Sequence, residues 1–158
     1  RPSNLTGCFI YQYFSITALP RQHHIFDRLR KISYFCKISI YKNKQQMIIV
    51  TKPIARQQLT DMAPEFFGDM VKAVVDIDMK ILAINAELHA DLEKMLIENG
   101  SLQESLWGIN LYPEMEGDDF IEFDSLINIS PRRNNFSRDV EDPNIQKTIR
   151  DIVNQLII

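Results

Sequence analysis

The chain has 158 residues, of which 45% are hydrophobic, 25% charged and 9% aromatic. These proportions fit one small globular domain with an appendage and exclude a wholly disordered chain. The low counts of Gly and Pro exclude collagen-like and most low-complexity classes, and no apolar run approaches the roughly 18 residues needed to span a bilayer.

Charge is distributed unevenly and divides the chain near Met47. Residues 1–46 hold eight Lys and Arg against one acid, Asp27, a net charge of +7, whereas 47–158 hold ten basic and twenty acidic residues, a net charge of −10. We interpret 1–46 as a non-native segment translated from upstream of a start at Met47, or as a targeting extension, with a natural extension as the third alternative. We expect 47–158 to form a single cytoplasmic domain, because this part has no cysteine and needs no oxidising compartment.

The hydrophobic pattern of this domain predicts its elements in chain order. The apolar run 47–50 predicts a strand. Apolar residues at helical spacing over 59–67 predict a helix that Pro64 interrupts. The two β-rich runs 71–77 and 80–84 then predict a hairpin.

The second half of the domain continues the same alternation of elements. A helix is predicted between a cap at Asn85 and an Asn-Gly stop at 99–100. Period-two patterns predict a half-buried strand over 107–112 and a longer strand over 121–129. An Asp-Pro pair at 142–143 predicts the start of a final amphipathic helix. The order β-α-β-β-α-β-β-α indicates an α+β fold, a mostly antiparallel sheet of about five strands with three helices on one face.

Several segments of the domain carry a family resemblance. They are FGDMVKAVVD at 67–76, ELHAD at 87–91, LWGINLYP at 106–113, FDSLINI at 123–129, and parts of 135–143. Through them the domain resembles a small uncharacterised prokaryotic family, a numbered domain of unknown function. The resemblance covers 47–158 and none of 1–46, and it implies a compact α+β fold but no activity. The chain departs from the family pattern at Pro64 and at Ser130, where Arg is expected, so the following loop has one cation fewer.

An arginine-rich loop is the strongest local signal for a binding site. Arg132, Arg133 and Arg138 lie within seven positions of an otherwise acidic domain, and Asn134 adds a further donor. Guanidinium groups bind carboxylate or phosphate through paired hydrogen bonds. The loop therefore predicts a site for a small anionic ligand or an acidic segment of a protein partner. The alternative is that these arginines pair with neighbouring acids or stay solvated.

Oxygen-bearing side chains around the predicted strand 121–129 form a second candidate site. Glu122 and Asp124 share one face of that strand, and Asn110 joins them if the two predicted strands pair. Such hard oxygen ligands suit Mg²⁺ or Mn²⁺. The alternative is an ordinary solvated face of an antiparallel sheet.

His89 is the only histidine of 47–158 and the natural general base near neutral pH. On a helix, Glu87 and Asp91 share a face while His89 points away, so these three do not form a metal site. No glycine-rich phosphate loop, dinucleotide fingerprint, nucleophile elbow or zinc-ligand spacing occurs in the sequence.

These features leave three functions open. The first is a non-enzymatic binding or regulatory module that holds an anionic ligand or an acidic partner. The second is a small divalent-metal-dependent hydrolase acting on a phosphate-containing substrate, with His89 and Asp124 catalytic; it requires His89, Asp124 and Arg138 around one cleft. The third is a homo-oligomer with a structural role. Nucleic-acid binding by 47–158 is disfavoured, because a charge of −10 repels phosphates.

Overall fold

The computed structural model describes residues 46–158, so the interpretation of 1–46 concerns a segment of which 1–45 lie outside the described part of the chain. Eight helices and strands follow in the predicted order. They are β1 (Ile48–Val50), α1 (Arg56–Met62), β2 (Val71–Asp76), β3 (Ile81–Ile84), α2 (His89–Glu98), β4 (Leu106–Leu111), β5 (Ile121–Glu122) and α3 (Pro143–Leu156). Within these residues, no helix has the length and apolar character that crossing a membrane requires.

The five strands form one antiparallel sheet in the order β1-β3-β2-β4-β5, which confirms the predicted fold class. Strands β2 and β3 are the predicted hairpin. The pairing of β2 with β4 places Lys72 opposite Asn110, and the short pairing of β4 with β5 places Asn110 opposite Glu122. Because directly paired residues project from the same face of a sheet, these three side chains form a polar row across three strands.

Helices cover both faces of the sheet, and the prediction that they lie on one face is wrong. Alternate residues of β2 enter two separate apolar clusters: Ala73 and Val75 pack with residues of α1 and α3, whereas Val74 packs with residues of α2. Strand β4 is therefore buried along its whole length, Leu106–Leu111. Alternate residues of β4 therefore pack into two different layers, and neither face of the strand is exposed to solvent.

The predicted strand over 121–129 is wrong beyond Glu122. Strand β5 ends there, and the chain turns into a short 3-10 helix at Leu126–Asn128. The fully buried Asn128 side chain accepts a hydrogen bond from the Gly108 amide (2.8 Å) and donates to the Gly108 carbonyl (2.9 Å). A side-chain amide therefore satisfies the edge of β4 that a longer β5 would otherwise have paired.

The predicted cap at Asn85 is also wrong, because α2 begins four residues later with Leu88 at its N-cap. Asn85 instead adopts a left-handed conformation (φ 71°) directly after β3, and its Nδ2 donates to Glu65 (3.1 Å). The stop at Gly100 is confirmed by its positive φ of 101°. The cap of α3 is confirmed as well, since the Asp142 carboxylate accepts a hydrogen bond from a backbone amide of the first turn (2.8 Å).

Candidate functional site

The polar row lies on the face of the sheet that also carries α2. Asn110 Nδ2 donates to Glu122 Oε2 (2.7 Å), and the Tyr112 hydroxyl donates to the same oxygen (3.1 Å). On the other side of Asn110, Lys72 Nζ donates to the carbonyl of Glu87 (3.0 Å), just before α2. The row is thus tied at one end to β5 and at the other to the start of a helix.

His89, the first residue of α2, is packed against β4 beside this row. Its Nε2 lies 2.9 Å from the carbonyl oxygen of Ile109. Because a carbonyl only accepts, Nε2 carries the proton, and a neutral ring keeps the lone pair of Nδ1 as a base. Burial lowers the pKa of His89 below 6.5, the Ile109 hydrogen bond opposes this, and the charges of Lys72, Asp124 and Arg138 act on it more weakly. The imidazole is therefore neutral at physiological pH.

Acid will destabilise the folded domain through His89. Because folding lowers the pKa of His89 from 6.5, the unfolded chain binds this proton first as the pH falls, and the folded chain binds it later. The contribution is complete above the unfolded pKa and decreases below it, by at most ~1.4 kcal/mol per pH unit for one proton. Urea unfolding of the wild type and of His89→Gln, measured at pH values above and below 6.5, tests this. The free energy of unfolding should fall less steeply with decreasing pH in the variant. The same pH dependence in both proteins would contradict the assignment to His89.

Arg138 and Asp124 form an ion pair with two contacts between guanidinium and carboxylate. Arg138 Nε lies 2.6 Å from Asp124 Oδ1, and a second guanidinium nitrogen donates to Oδ2 (2.9 Å). Both side chains are about half exposed (54% and 43%), so the bridge adds little to stability but fixes the guanidinium plane. A guanidinium has five N–H donors, and within residues 46–158 no other side chain or carbonyl accepts from those that Asp124 leaves over.

The structure therefore links four of the predicted site residues, Asn110, Glu122, Asp124 and Arg138, through hydrogen bonds and an ion pair, and His89 packs on the same face of the sheet. The charges of Asp124 and Arg138 both act on His89, and the Asp124 carbonyl lies 3.4 Å from Asn110 Nδ2. We call the full set the sheet-face cluster: Lys72, His89, Asn110, Tyr112, Glu122, Asp124 and Arg138.

The remaining residues of the arginine loop lie at the opposite end of β4. The Arg133 guanidinium stacks 4.0 Å from the centre of the Trp107 ring and donates to the carbonyls of Leu106 (2.6 Å) and Ile127 (3.0 Å). Leu106 begins β4, whereas Asp124, which holds the Arg138 side chain, lies beside Asn110, four residues further along. At about 3.4 Å per residue this separates the two positions by roughly 14 Å. Arg133 thus anchors the loop to the sheet.

Arg132 and Asn134 are also apart from the sheet-face cluster. Arg132 is exposed and lines an open groove of about 400 Å³ together with Glu93, Glu104 and Arg133. Asn134 is exposed in a left-handed turn (φ 54°). The loop therefore does not present its three arginines as one anion site.

The predicted metal ligands Glu122 and Asp124 already have hydrogen-bond partners. Glu122 accepts from Asn110 and Tyr112, and both oxygens of Asp124 accept from Arg138. In the part of the chain that the structure describes, no three His, Cys, Asp or Glu side chains form a group that could hold a metal ion. These contacts make the two carboxylates positioning groups for Asn110, Tyr112 and Arg138.

Sequence reasoning missed two members of the cluster. Lys72 lies inside the apolar run of β2, and a cation on a central strand was the available signal. Tyr112 follows β4, and its role depends on Glu122, which the sequence does not place beside it. Burial and then the hydrogen bond to Glu122 raise the pKa of Tyr112, so its hydroxyl stays a donor.

The comparisons with known proteins agree with the predicted family resemblance. The family model described as "Protein of unknown function (DUF5674)" matches residues 48–156, which include all eight helices and strands and the whole sheet-face cluster. Neither the search of curated proteins nor the search of solved structures gave a significant match. The chain is therefore a member of the DUF5674 family, whose description assigns no function.

Proposed function

We propose that the protein is a small binding module and that it holds a small anion at the sheet-face cluster. The observation that carries this proposal is that Lys72 and the Asp124–Arg138 ion pair lie on the face of the sheet that also carries the buried His89. The predicted anion site therefore moves from the arginine loop as a whole to Arg138 and Lys72.

The two cations have hydrogen-bonding capacity to spare. An ammonium carries three N–H donors, and Lys72 uses one of them on the Glu87 carbonyl. Arg138 uses two on Asp124, which holds the guanidinium in one orientation. Charge-assisted hydrogen bonds to phosphate or carboxylate are the strongest that side chains make. A preoriented Arg and a tethered Lys therefore offer an anion several donors at little cost in conformational entropy.

The overall charge of the domain makes this local arrangement necessary. Residues 47–158 carry a net charge of −10, so the long-range field repels anions and binding must come from short-range contacts. The same charge disfavours nucleic acid as the partner. We also propose a cytoplasmic location, because 47–158 contain no cysteine that an oxidising compartment would bridge.

A titration with inorganic phosphate tests the proposed site, with Arg138→Ala and Arg132→Ala as a matched pair. Both variants remove one exposed arginine from the same loop, so they change the net charge equally. Phosphate at about 100 times its Kd should stabilise the wild type by ~2.7 kcal/mol, a rise of several degrees in Tm. Arg132→Ala should keep this rise and Arg138→Ala should lose most of it. Equal losses, or a flat wild-type response, would contradict the proposal.

A phosphate-directed hydrolase is the second candidate, and the position of His89 favours it. The neutral imidazole has its proton fixed on Nε2 by the Ile109 carbonyl, so Nδ1 is the atom that would accept a proton from attacking water. The test is hydrolysis of p-nitrophenyl phosphate with and without Mg²⁺ or Mn²⁺. If the wild type is active, and His89→Gln loses this activity but still binds phosphate, the protein is a hydrolase and not only a binding module.

A further inference from the structure

A second pair of arginines lines an open cavity on the other side of the sheet. Arg56 and Arg150 share this cavity of about 290 Å³ with apolar side chains that include Phe120 and Ile121. Ile121 belongs to the apolar layer of α1 and α3, whereas the next residue, Glu122, points to the face that carries the sheet-face cluster. The cavity is therefore separate from the site already described.

The guanidinium of Arg56 is held in one plane at the cavity. Its Cζ lies 4.1 Å from the centre of the Phe120 ring, and its Nε donates to the Pro113 carbonyl (2.8 Å). A terminal nitrogen donates to the Met115 carbonyl. A guanidinium carries five N–H donors, and within residues 46–158 no acceptor binds those of the second terminal nitrogen. Arg56 therefore has oriented donors left over.

Arg150 brings a second guanidinium to the cavity from α3. One terminal nitrogen lies 3.3 Å from an Asp118 carboxylate oxygen, and its Cζ lies 5.0 Å from the centre of the Phe123 ring. Its Nε and its other terminal nitrogen have no acceptor in the part of the chain that the structure describes. The Arg150 side chain is 29% exposed and that of Asp118 is 92% exposed. Small solutes can therefore reach the spare donors of Arg150 from solvent.

The charges that line the cavity favour a singly charged anion. Arg56 and Arg150 face one carboxylate, that of Asp118, and the other lining residues are uncharged, so the lining has a net charge of +1. Further acids in the connection 114–119 repel additional negative charge. One carboxylate balances this lining, whereas a doubly ionised phosphate exceeds it.

We propose that this cavity is a second binding site and that it takes a small monocarboxylate. Guanidinium groups bind a carboxylate through paired hydrogen bonds in one plane, and both Arg56 and Arg150 have donors to offer it. Phe120 and Ile121 provide apolar contact for a short alkyl chain. The site goes beyond the proposed function and does not depend on the sheet-face cluster.

An NMR titration of the full chain with propionate and with propionamide tests the site. The two probes have nearly the same shape and differ in charge. In a phosphate-free buffer, we expect propionate to shift the Arg150 Nε resonance saturably and propionamide to leave it unchanged. Equal responses to both probes, or no saturable response to propionate, would overturn the inference.

Inorganic phosphate tests the charge of the ligand in the same titration. In slightly alkaline buffer, where phosphate is doubly ionised, it should shift the Arg150 Nε resonance less than propionate does at the same concentration. A response to phosphate as large as the response to propionate would overturn the assignment to a monocarboxylate.

Arg150→Gln and Lys147→Gln form a matched pair of variants. Each removes one cation from α3 and one exposed ion pair with an aspartate, so both should fold. With the Asn154 side-chain amide at the cavity as the reporter, we expect Arg150→Gln to weaken propionate binding about tenfold or more and Lys147→Gln to leave it unchanged. Equal weakening would show that only the charge of the helix matters and would overturn the site.

Arg138→Ala separates the fate of this site from that of the proposed function. This variant should bind propionate as the wild type does, because Arg138 does not line the cavity. Failure of propionate to bind, while phosphate still binds the wild type through Arg138, would overturn the present inference alone.

Discussion

Gly108→Ala will destabilise the domain by about 3 kcal/mol, at the upper end of the usual cost of overpacking a core. The added methyl would lie 2.6 Å from Ser125 Cβ, closer still to Ser125 Oγ, and 3.0 Å from Ile127 Cγ1. Neither side can move easily, because Gly108 is in the middle of β4 and both of its backbone groups are bonded to the buried Asn128. The segment that follows β5 must then lift away from the sheet.

Urea unfolding monitored by circular dichroism measures the effect of Gly108→Ala. The double variant Gly108→Ala with Ser125→Gly removes the opposing side chain and should recover a substantial part of the loss. Asp124 lies in the displaced segment, so Gly108→Ala should also weaken phosphate binding. A single variant as stable as the wild type would show that 123–128 does not lie on β4 as the structure has it.

Asn128→Leu will cost about 3 kcal/mol or more, because it leaves several buried backbone groups without partners. The fully buried Asn128 amide bonds to both backbone groups of Gly108 and donates to the Arg138 carbonyl (2.8 Å). Leucine has a similar volume but makes none of these bonds. Without Asn128, the edge of β4 and the backbone of Arg138 are no longer held together by its hydrogen bonds. The affinity for phosphate should therefore decrease along with the stability.

Asn154→Leu is the matched control for that change. Asn154 is exposed on α3, where the same substitution is expected to stay within about 0.5 kcal/mol of the wild type. Chemical denaturation of the two variants under identical conditions gives the comparison. A cost for Asn128→Leu no greater than that for Asn154→Leu would contradict the role of Asn128 as a substitute for a strand.

Most of the element order was predictable because its signals are local. Apolar spacing indicated α1 and α2, the Asp-Pro pair indicated the start of α3, and Gly100 indicated the end of α2. The length of β5 was not predictable, because Asn128 replaces the missing strand through contacts with Gly108, twenty positions away in sequence. The two-sided burial of β4 also escaped prediction, because a small or polar residue that faces a second packing layer resembles one that faces water.

The members of the site were easier to predict than their arrangement. His89, Asp124 and Arg138 were candidates by residue type, but their placement relative to one face of the sheet depends on the register of β2, β4 and β5, which no local pattern specifies. Arg133 resembled Arg138 in the sequence, but their contacts differ: Arg133 stacks on Trp107 and donates to backbone carbonyls, whereas Arg138 pairs with Asp124. Lys72 lies within an apolar strand, and its place in the sheet-face cluster depends on the strand pairing that sets it opposite Asn110.

The location of bound phosphate tests the central claim most directly. In a ¹⁵N NMR titration of the protein, the Nε resonances of Arg138 and Arg133 report separately on the Asp124 ion pair and on the Leu106 end of β4. We expect phosphate to shift the Arg138 Nε signal and the His89 ring signals and to leave the Arg133 signal unchanged. Shifts confined to Arg132 and Arg133, or no shift at Arg138, would show that the sheet-face cluster is not an anion site.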